Sequence, residues 1–350
     1  MTGARLLAPA ELAGQLPGPV LGDDGRVRSP IQLIDLDVPV PPAVQAEAAR
    51  VAAAATGVVV GVSLSGAPDP DLLPLVAALD VTLVRAGGPA RRDCVAVADP
   101  LAAADDLVAA AGAAPSAATV LAGLLRWSGD LPVAAALDAE SLAYSTLLGG
   151  PEFAAWLAAR GPRPAPPPSA DPVLVRRVGA ELAITLNRPE RRNAYGRQLR
   201  DALVDALLLA ELDPTVGRIV LDGTGPAFCS GGDLDEFGTA PDLVTAHLVR
   251  TRAGAALPLD RLRAKVEVRV HGACVGAGIE LPAYAGRVVA APDARFRLPE
   301  IGMGLIPGAG GTVSIPRRIG RWRTLWLGLS GATLDARTAL EWGLVDAVEG

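Results

Sequence analysis

Two glutamates and two glycine loops are the residues best suited to chemistry. Glu280 is flanked by Ile279, Leu281, Ala283 and Ala285, a stretch in which burying an acid is costly unless something uses or satisfies it. Glu300 lies in Phe296-Arg-Leu-Pro-Glu-Ile301, just after an expected strand. Brought together in a dry cleft, two carboxyls acquire separated pKa values, suiting one as base and one as acid. Taken alone, Glu300 also fits a solvated loop acid paired with Arg295 or Arg297. Phe228-Cys-Ser-Gly-Gly-Asp-Leu234 and Gly272-Ala-Cys-Val-Gly-Ala-Gly278 are the glycine loops. Glycine admits positive φ and lets a ligand come close to peptide N–H groups. Pro282 places Glu280 in the first turn of a helix, where free N–H groups and the helix dipole favour developing negative charge. Gly276 and Gly278 would equally serve tight packing.

Several other chemistries are disfavoured. Gly302, Gly304 and Gly308 are wrongly spaced for a dinucleotide loop, and Pro307 interrupts any strand-to-helix turn there. His271 reads as structural. Cys229 has no histidine near it in sequence to activate it as a nucleophile. The three cysteines (Cys94, Cys229, Cys274) and two histidines (His247, His271) make neither a disulfide framework nor a metal site.

Repeating strands and helices must position these loops. Val173–Val178 and Glu181–Leu186 read as two strands joined at Gly179-Ala180. A helix follows with Leu199, Leu203, Ala206, Leu207 and Ala210 on one face. Further strands are expected at 218–222, 266–271 and 287–291, an α/β order. A linker at 164–171, overlapping the proline-rich run Gly161–Ala170, separates an N-terminal part (1–163) from a C-terminal part (172–350). The N-terminal part shows strands at 57–63 and 81–85, and helices at 71–79 and 103–113. A helical pattern runs over 117–159, with Trp127 and Trp156 packing. No charged cluster suited to catalysis is evident there.

With 350 residues, 50% of them hydrophobic and 20% charged, the chain can bury one large core or two ordinary ones, and disorder is excluded. A net charge of −6 with no basic stripe argues against nucleic acid. No run approaches a membrane span and no signal segment is evident, so a cytoplasmic location is expected.

Leu186-Asn-Arg-Pro189 with Asn193-Ala194, Ala227–Leu234, His271–Leu281, Leu298–Thr312 and Ala336–Val345, in that order, resemble the crotonase (enoyl-CoA hydratase/isomerase) superfamily. The resemblance implies a ββα-repeat spiral core over 172–350 and an oxyanion hole at the N–H groups of Gly232 and Ala277. It implies catalytic acids at Glu280 and Glu300. Substrate-binding positions implied are Arg191, Arg192, Ala194, Ser230, Gly231, Asp233, Gly276 and Gly308. The implied activity is addition of water across a 2-enoyl-CoA thioester, with no metal and no cofactor beyond the substrate's CoA. An enoyl-CoA isomerase and a non-catalytic acyl-CoA-binding subunit are the alternatives. A trimer or hexamer of identical chains is also implied.

Three departures stand out. Alanine occupies position 277, where relatives usually carry glycine. Asp235-Glu236 replaces a common basic residue. The chain ends at Gly350, before the helices that usually cover the acyl pocket. Residues 117–163 resemble such a helical tail, which suggests that 1–163 is a degenerate crotonase-like or accessory unit whose helices lid the site.

Overall fold

The computed structural model describes residues 5–15, 21–88 and 91–350. In the N-terminal half, β1 (Leu6–Leu7), β2 (Ile31–Asp35), β3 (Val58–Ser63), β4 (Val81–Arg85) and β5 (Val95–Val97) form a parallel sheet in sequential order. The central strand β3 reads Val-Val-Val-Gly-Val-Ser and is buried at every position, as a parallel strand covered on both faces must be. Val59 packs with α1 (Pro9–Ala13), α2 (Pro42–Ala53) and α3 (Leu73–Ala78) on one face. Val58, Val60 and Val62 face α4 (Pro100–Ala113) and α5 (Pro115–Trp127) on the other.

Prolines open several of these helices, where the missing N–H has no partner to lose. Asp99 caps α4 through the N–H groups of Leu101 and Ala102. The residue before α5 is Ala114, which cannot cap, and Glu152 does so from a distance by accepting from Ser116 and Ala117 N–H at 2.7 and 3.1 Å. The helical pattern at 117–159 resolves into α5, α6 (Val133–Leu148) and α7 (Pro151–Arg160). Trp156 stacks on Phe153 and meets the edge of Phe237. The packing expected for Trp127 is not found: it ends α5 and is 57% exposed, because the stripe Ala117, Ala118, Leu121, Leu125 takes the buried side of that helix.

In the C-terminal half, β6 (Val173–Val178) and β7 (Glu181–Leu186) make a hairpin turning at Gly179, whose φ is +59°. With β8 (Arg218–Gly223), β9 (Val266–Val270), β11 (Arg287–Ala290) and β14 (Ala347–Val348) they form a sheet in the order β14-β11-β9-β8-β7-β6. Every pairing except the hairpin is parallel. A smaller sheet joins β10 (Ala273–Val275), β12 (Arg295–Arg297) and β13 (Leu334–Asp335). Helix α8 (Arg197–Leu212) buries Leu199, Leu203, Ala206, Leu207 and Ala210, the face read from the sequence. The remaining helices are α9 (Leu243–Arg252), α10 (Ala256–Leu262), α11 (Ala277–Glu280), α12 (Gly311–Ile319), α13 (Arg321–Ser330) and α14 (Ala336–Trp342).

The two halves share a core. Ile301, Leu305, Ile306, Leu325 and Leu329 are buried among α4, α5 and the N-terminal sheet. Residues 161–171 have no regular structure and lie against α8, where Gln198 bonds the Pro167 carbonyl and the Ser169 N–H. Helix α6 runs along α9, to which Ser141 and Ser145 are hydrogen-bonded. Among the described residues no single helix is long and apolar enough to cross a membrane.

Candidate active site

The glycine loops meet side by side. Cys229 donates its N–H to Ala273 and accepts from Val275, so the first loop pairs with β10. A Cβ on Gly278 would stand 2.2 Å from the Cys229 carbonyl oxygen. Glycine is therefore required for α11 to seat against the first loop. Gly276 adopts φ +50° and ψ −118° immediately before α11. Among the described residues, the N–H groups of Gly232 and Ala277 have no protein acceptor, and both residues line one cavity of about 650 Å³. Ala277 is the first residue of α11 with helical backbone, so a Cβ is tolerated there. The conformation that only glycine accepts readily is one residue earlier.

Both acids reach the same place. A Cβ on Gly276 would lie 2.6 Å from Glu300 Oε1 and 3.7 Å from Glu280 Oε1. Glu280 Oε2 accepts from the N–H groups of Ala309 and Gly311 at 2.7 and 2.9 Å, which leaves Oε1 toward the cavity. Glu300 is 8% exposed, not a solvated loop acid, and among the described residues its buried Oε2 has no hydrogen-bond partner. Burial pushes the Glu300 carboxyl up to about 8. Glu280 is also raised well above the usual range, by burial and then by the charges of Glu300 and Glu140, against the two N–H bonds.

A third acid enters from the N-terminal half, in which no charged cluster suited to catalysis is evident from the sequence. Glu140 on α6 is 2% exposed. Its Oε1 accepts from Gly310 N–H at 2.7 Å, and its Oε2 accepts from the N–H and hydroxyl of Thr312 at 2.8 and 2.7 Å. Successive N–H groups of 309–312 thus alternate between Glu280 and Glu140 at the start of α12. Burial pushes Glu140 up to about 7, opposed by these bonds.

The cavity also takes Asp233 and Gly308 from the expected set, but not Arg191, Arg192, Ala194, Ser230, Gly231 or Gly276. Arg191 is held by Asp233, through both oxygens at 2.6 and 3.0 Å, and by Asp235 at 2.8 Å. Asp233 and Asp235 thus occupy its guanidinium, whereas Glu236 accepts from the Arg197 N–H. Arg192 is exposed and makes no ion pair among the described residues. Ser230 N–H bonds the Arg192 carbonyl, and Tyr195 N–H bonds that of Gly231. Asn193, fully buried with φ +52°, accepts from Arg188 N–H and donates to the Thr224 and Ala227 carbonyls, tying the loop after β7 to the loop after β8. His271 bonds the Gly225 carbonyl. Burial pushes the Cys229 thiol up to about 12, leaving no thiolate at neutral pH. Among the described residues no cluster of His, Cys, Asp or Glu could hold a metal ion.

Two outcomes follow from this geometry. Gly276→Ala is expected to lower turnover at least 10²-fold and to cost ~1–3 kcal/mol of stability, since the strained φ and the clash with Glu300 coincide. Steady-state kinetics and chemical denaturation would measure both, and a fully active variant would contradict this packing. Glu300 holds its proton more tightly in the folded than in the unfolded chain, so its contribution to stability is full below about pH 4.5. It is lost as pH rises through about 8, by a few kcal/mol in order of magnitude. Glu300→Gln should therefore melt several degrees above wild type near pH ~9 and differ little near pH ~5. Equal melting at both would show that the carboxyl is not desolvated.

Residues 178–349 match the family described as Enoyl-CoA hydratase/isomerase. The chain is 37% identical over 169 residues to 1,2-epoxyphenylacetyl-CoA isomerase of Escherichia coli K12, covering 47% of this chain and 64% of that protein. It is 37% identical over 176 residues to 2,3-dehydroadipyl-CoA hydratase of the same organism, covering 50% and 68%. A crystal structure of an enoyl-CoA hydratase from Mycobacterium smegmatis aligns with 51% of this chain and 69% of its own, at 32% identity and a TM-score of 0.47. The chain belongs to the enoyl-CoA hydratase/isomerase family, and its C-terminal half is crotonase-like. It spans about two thirds of the length of the two curated relatives.

Proposed function

We propose that the cavity binds a 2-enoyl-CoA thioester and adds water across its double bond. The observation that carries this reading is two carboxyl oxygens flanking Gly276 beside two N–H groups without protein acceptors. As water adds at C3, the thioester oxygen gains enolate charge. Gly232 and Ala277 N–H groups aimed at that oxygen would stabilise it, each contributing ~3 kcal/mol. Burial raises both acids. The Ala309 and Gly311 N–H bonds oppose it at Glu280, whereas Glu300 Oε2 has no partner among the described residues, which favours the shared charge on Glu280 and the proton on Glu300. Glu280 then takes a proton from water as the C3–O bond forms, and Glu300 delivers its proton to C2. A proton then passes from Glu280 to Glu300, relayed through the next water, and restores the pair. Arg192 remains available to a CoA phosphate. Helices α6 and α7 would serve as the acyl-pocket cover, a reading supported by the α6 residues in the cavity wall.

The test is loss of enoyl thioester absorbance across short, long and ring-bearing 2-enoyl-CoAs. Hydration removes the conjugated double bond, whereas an isomerase moves it and conserves mass. Binding of CoA esters with no turnover across the panel would overturn the hydratase reading in favour of a non-catalytic subunit.

A further inference from the structure

Arg250 on α9 lines the same cavity as Glu280 and Glu300. Its guanidinium is largely buried, and burial holds its pKa below the usual arginine value. Burying a cation is costly unless it is paired with charge. Yet among the described residues no carboxylate lies within ion-pair distance of Arg250, although twenty such contacts occur elsewhere in the molecule. Its hydrogen bonds all go to neutral oxygens of α6: Nε to Ser141 Oγ at 3.1 Å, and Nη2 to the Ser141 carbonyl at 3.3 Å and to Ser145 Oγ. Among the described residues Nη1 has no acceptor. The Tyr144 ring lies 4.5 Å from the guanidinium carbon. Glu140 is close enough to exert a Coulombic influence, but both its oxygens are bound to Gly310 and Thr312. The guanidinium is therefore fixed by two serines and an aromatic face, with one nitrogen uncommitted, in a cavity whose walls include Leu137, Leu148, Ala246 and Val249.

We propose that Arg250 receives a carboxylate on the acyl group, so that the preferred thioesters are those of dicarboxylic acids. An apolar chain would fill the aliphatic walls, and its terminal carboxylate would supply the missing counter-charge, with charge-assisted bonds to the guanidinium. This rests on the acyl-CoA reading of the cavity but not on hydration. A purely structural role, tying α9 to α6, would affect all substrates alike.

The experiment is equilibrium binding of saturated thioesters, which cannot be hydrated: hexanoyl-CoA, the same chain ending in a carboxylate, and free CoA. The wild type is expected to bind the carboxylate-ended chain ~10–100-fold more tightly than hexanoyl-CoA. In Arg250→Gln that ratio should fall to about one, and Arg250→Lys should keep part of it. Melting temperatures check that the variants fold, and the wild-type ratio stands as a test without them. The proposal is overturned if the wild type shows no preference or if the preference survives Arg250→Gln. It is also overturned if the variant loses hexanoyl-CoA and free CoA as strongly as the carboxylate ester, which would make Arg250 a phosphate contact. Preferential binding without turnover of any enoyl ester would defeat the hydratase reading and leave this one standing.

Discussion

Glu280→Gln and Glu300→Gln are each expected to lower kcat for 2-enoyl-CoA hydration by roughly 10²–10⁴-fold, with KM little changed. Both side chains are the right size to keep the local packing. The glutamine carbonyl at 280 can still accept from Ala309 and Gly311, so the loop before α12 stays moored. What is lost is proton transfer, at one end of the double bond or the other. Because the two carboxyls act on one transition state, the double variant should be little slower than either single one. In the wild type kcat should fall as pH rises through about 8, where Glu300 loses the proton it donates. Single-turnover measurements on the three variants would check all of this, and a variant within tenfold of wild type would remove that glutamate from the chemistry.

Much of this site is legible in the sequence because its parts are local. An acid inside Ile279–Ala285 has no inexpensive structural explanation, and glycine spacing around 231–232 and 276–278 announces close backbone approach. The hairpin at Gly179 and the buried face of α8 follow from turn chemistry and helical period. Glu140 is harder, since it sits 170 residues before its partner Gly310. A signal does exist: Ala136, Glu140, Tyr144 and Leu147 fall on one helical stripe, and all are buried. An acid on an apolar stripe is the same anomaly that singles out Glu280. Arg250 gives no such sign, because α9 carries polar and apolar residues without a clean face. Arg191 misleads for a different reason. Its sequence neighbours suggest a free cation, while Asp233 and Asp235 arrive from a loop that only the tertiary fold brings near.

The second large effect concerns the N-terminal half. Deleting residues 1–165 is expected to abolish both soluble accumulation and turnover. The deletion would expose Ile301, Leu305, Ile306, Leu325 and Leu329, each at most 4% exposed in the intact chain. At ~1.5–3 kcal/mol per buried aliphatic side chain, the loss is on the order of 10 kcal/mol, comparable with the whole stability of a domain. It would also remove Glu140 from the N–H groups of Gly310 and Thr312, and α6 from the cavity wall. Size-exclusion chromatography and circular dichroism of the truncated chain would measure this. A soluble, fully active C-terminal half would show that the shared core is dispensable.

The central claim is that Glu280 and Glu300 direct water onto a conjugated thioester, and isotope placement tests it most directly. Turnover of a 2-enoyl-CoA in water enriched in heavy oxygen and deuterium should give a 3-hydroxyacyl-CoA with heavy oxygen at C3 and one deuterium at C2. Recovery of an enoyl-CoA of unchanged oxygen content, with its double bond moved, would contradict the account.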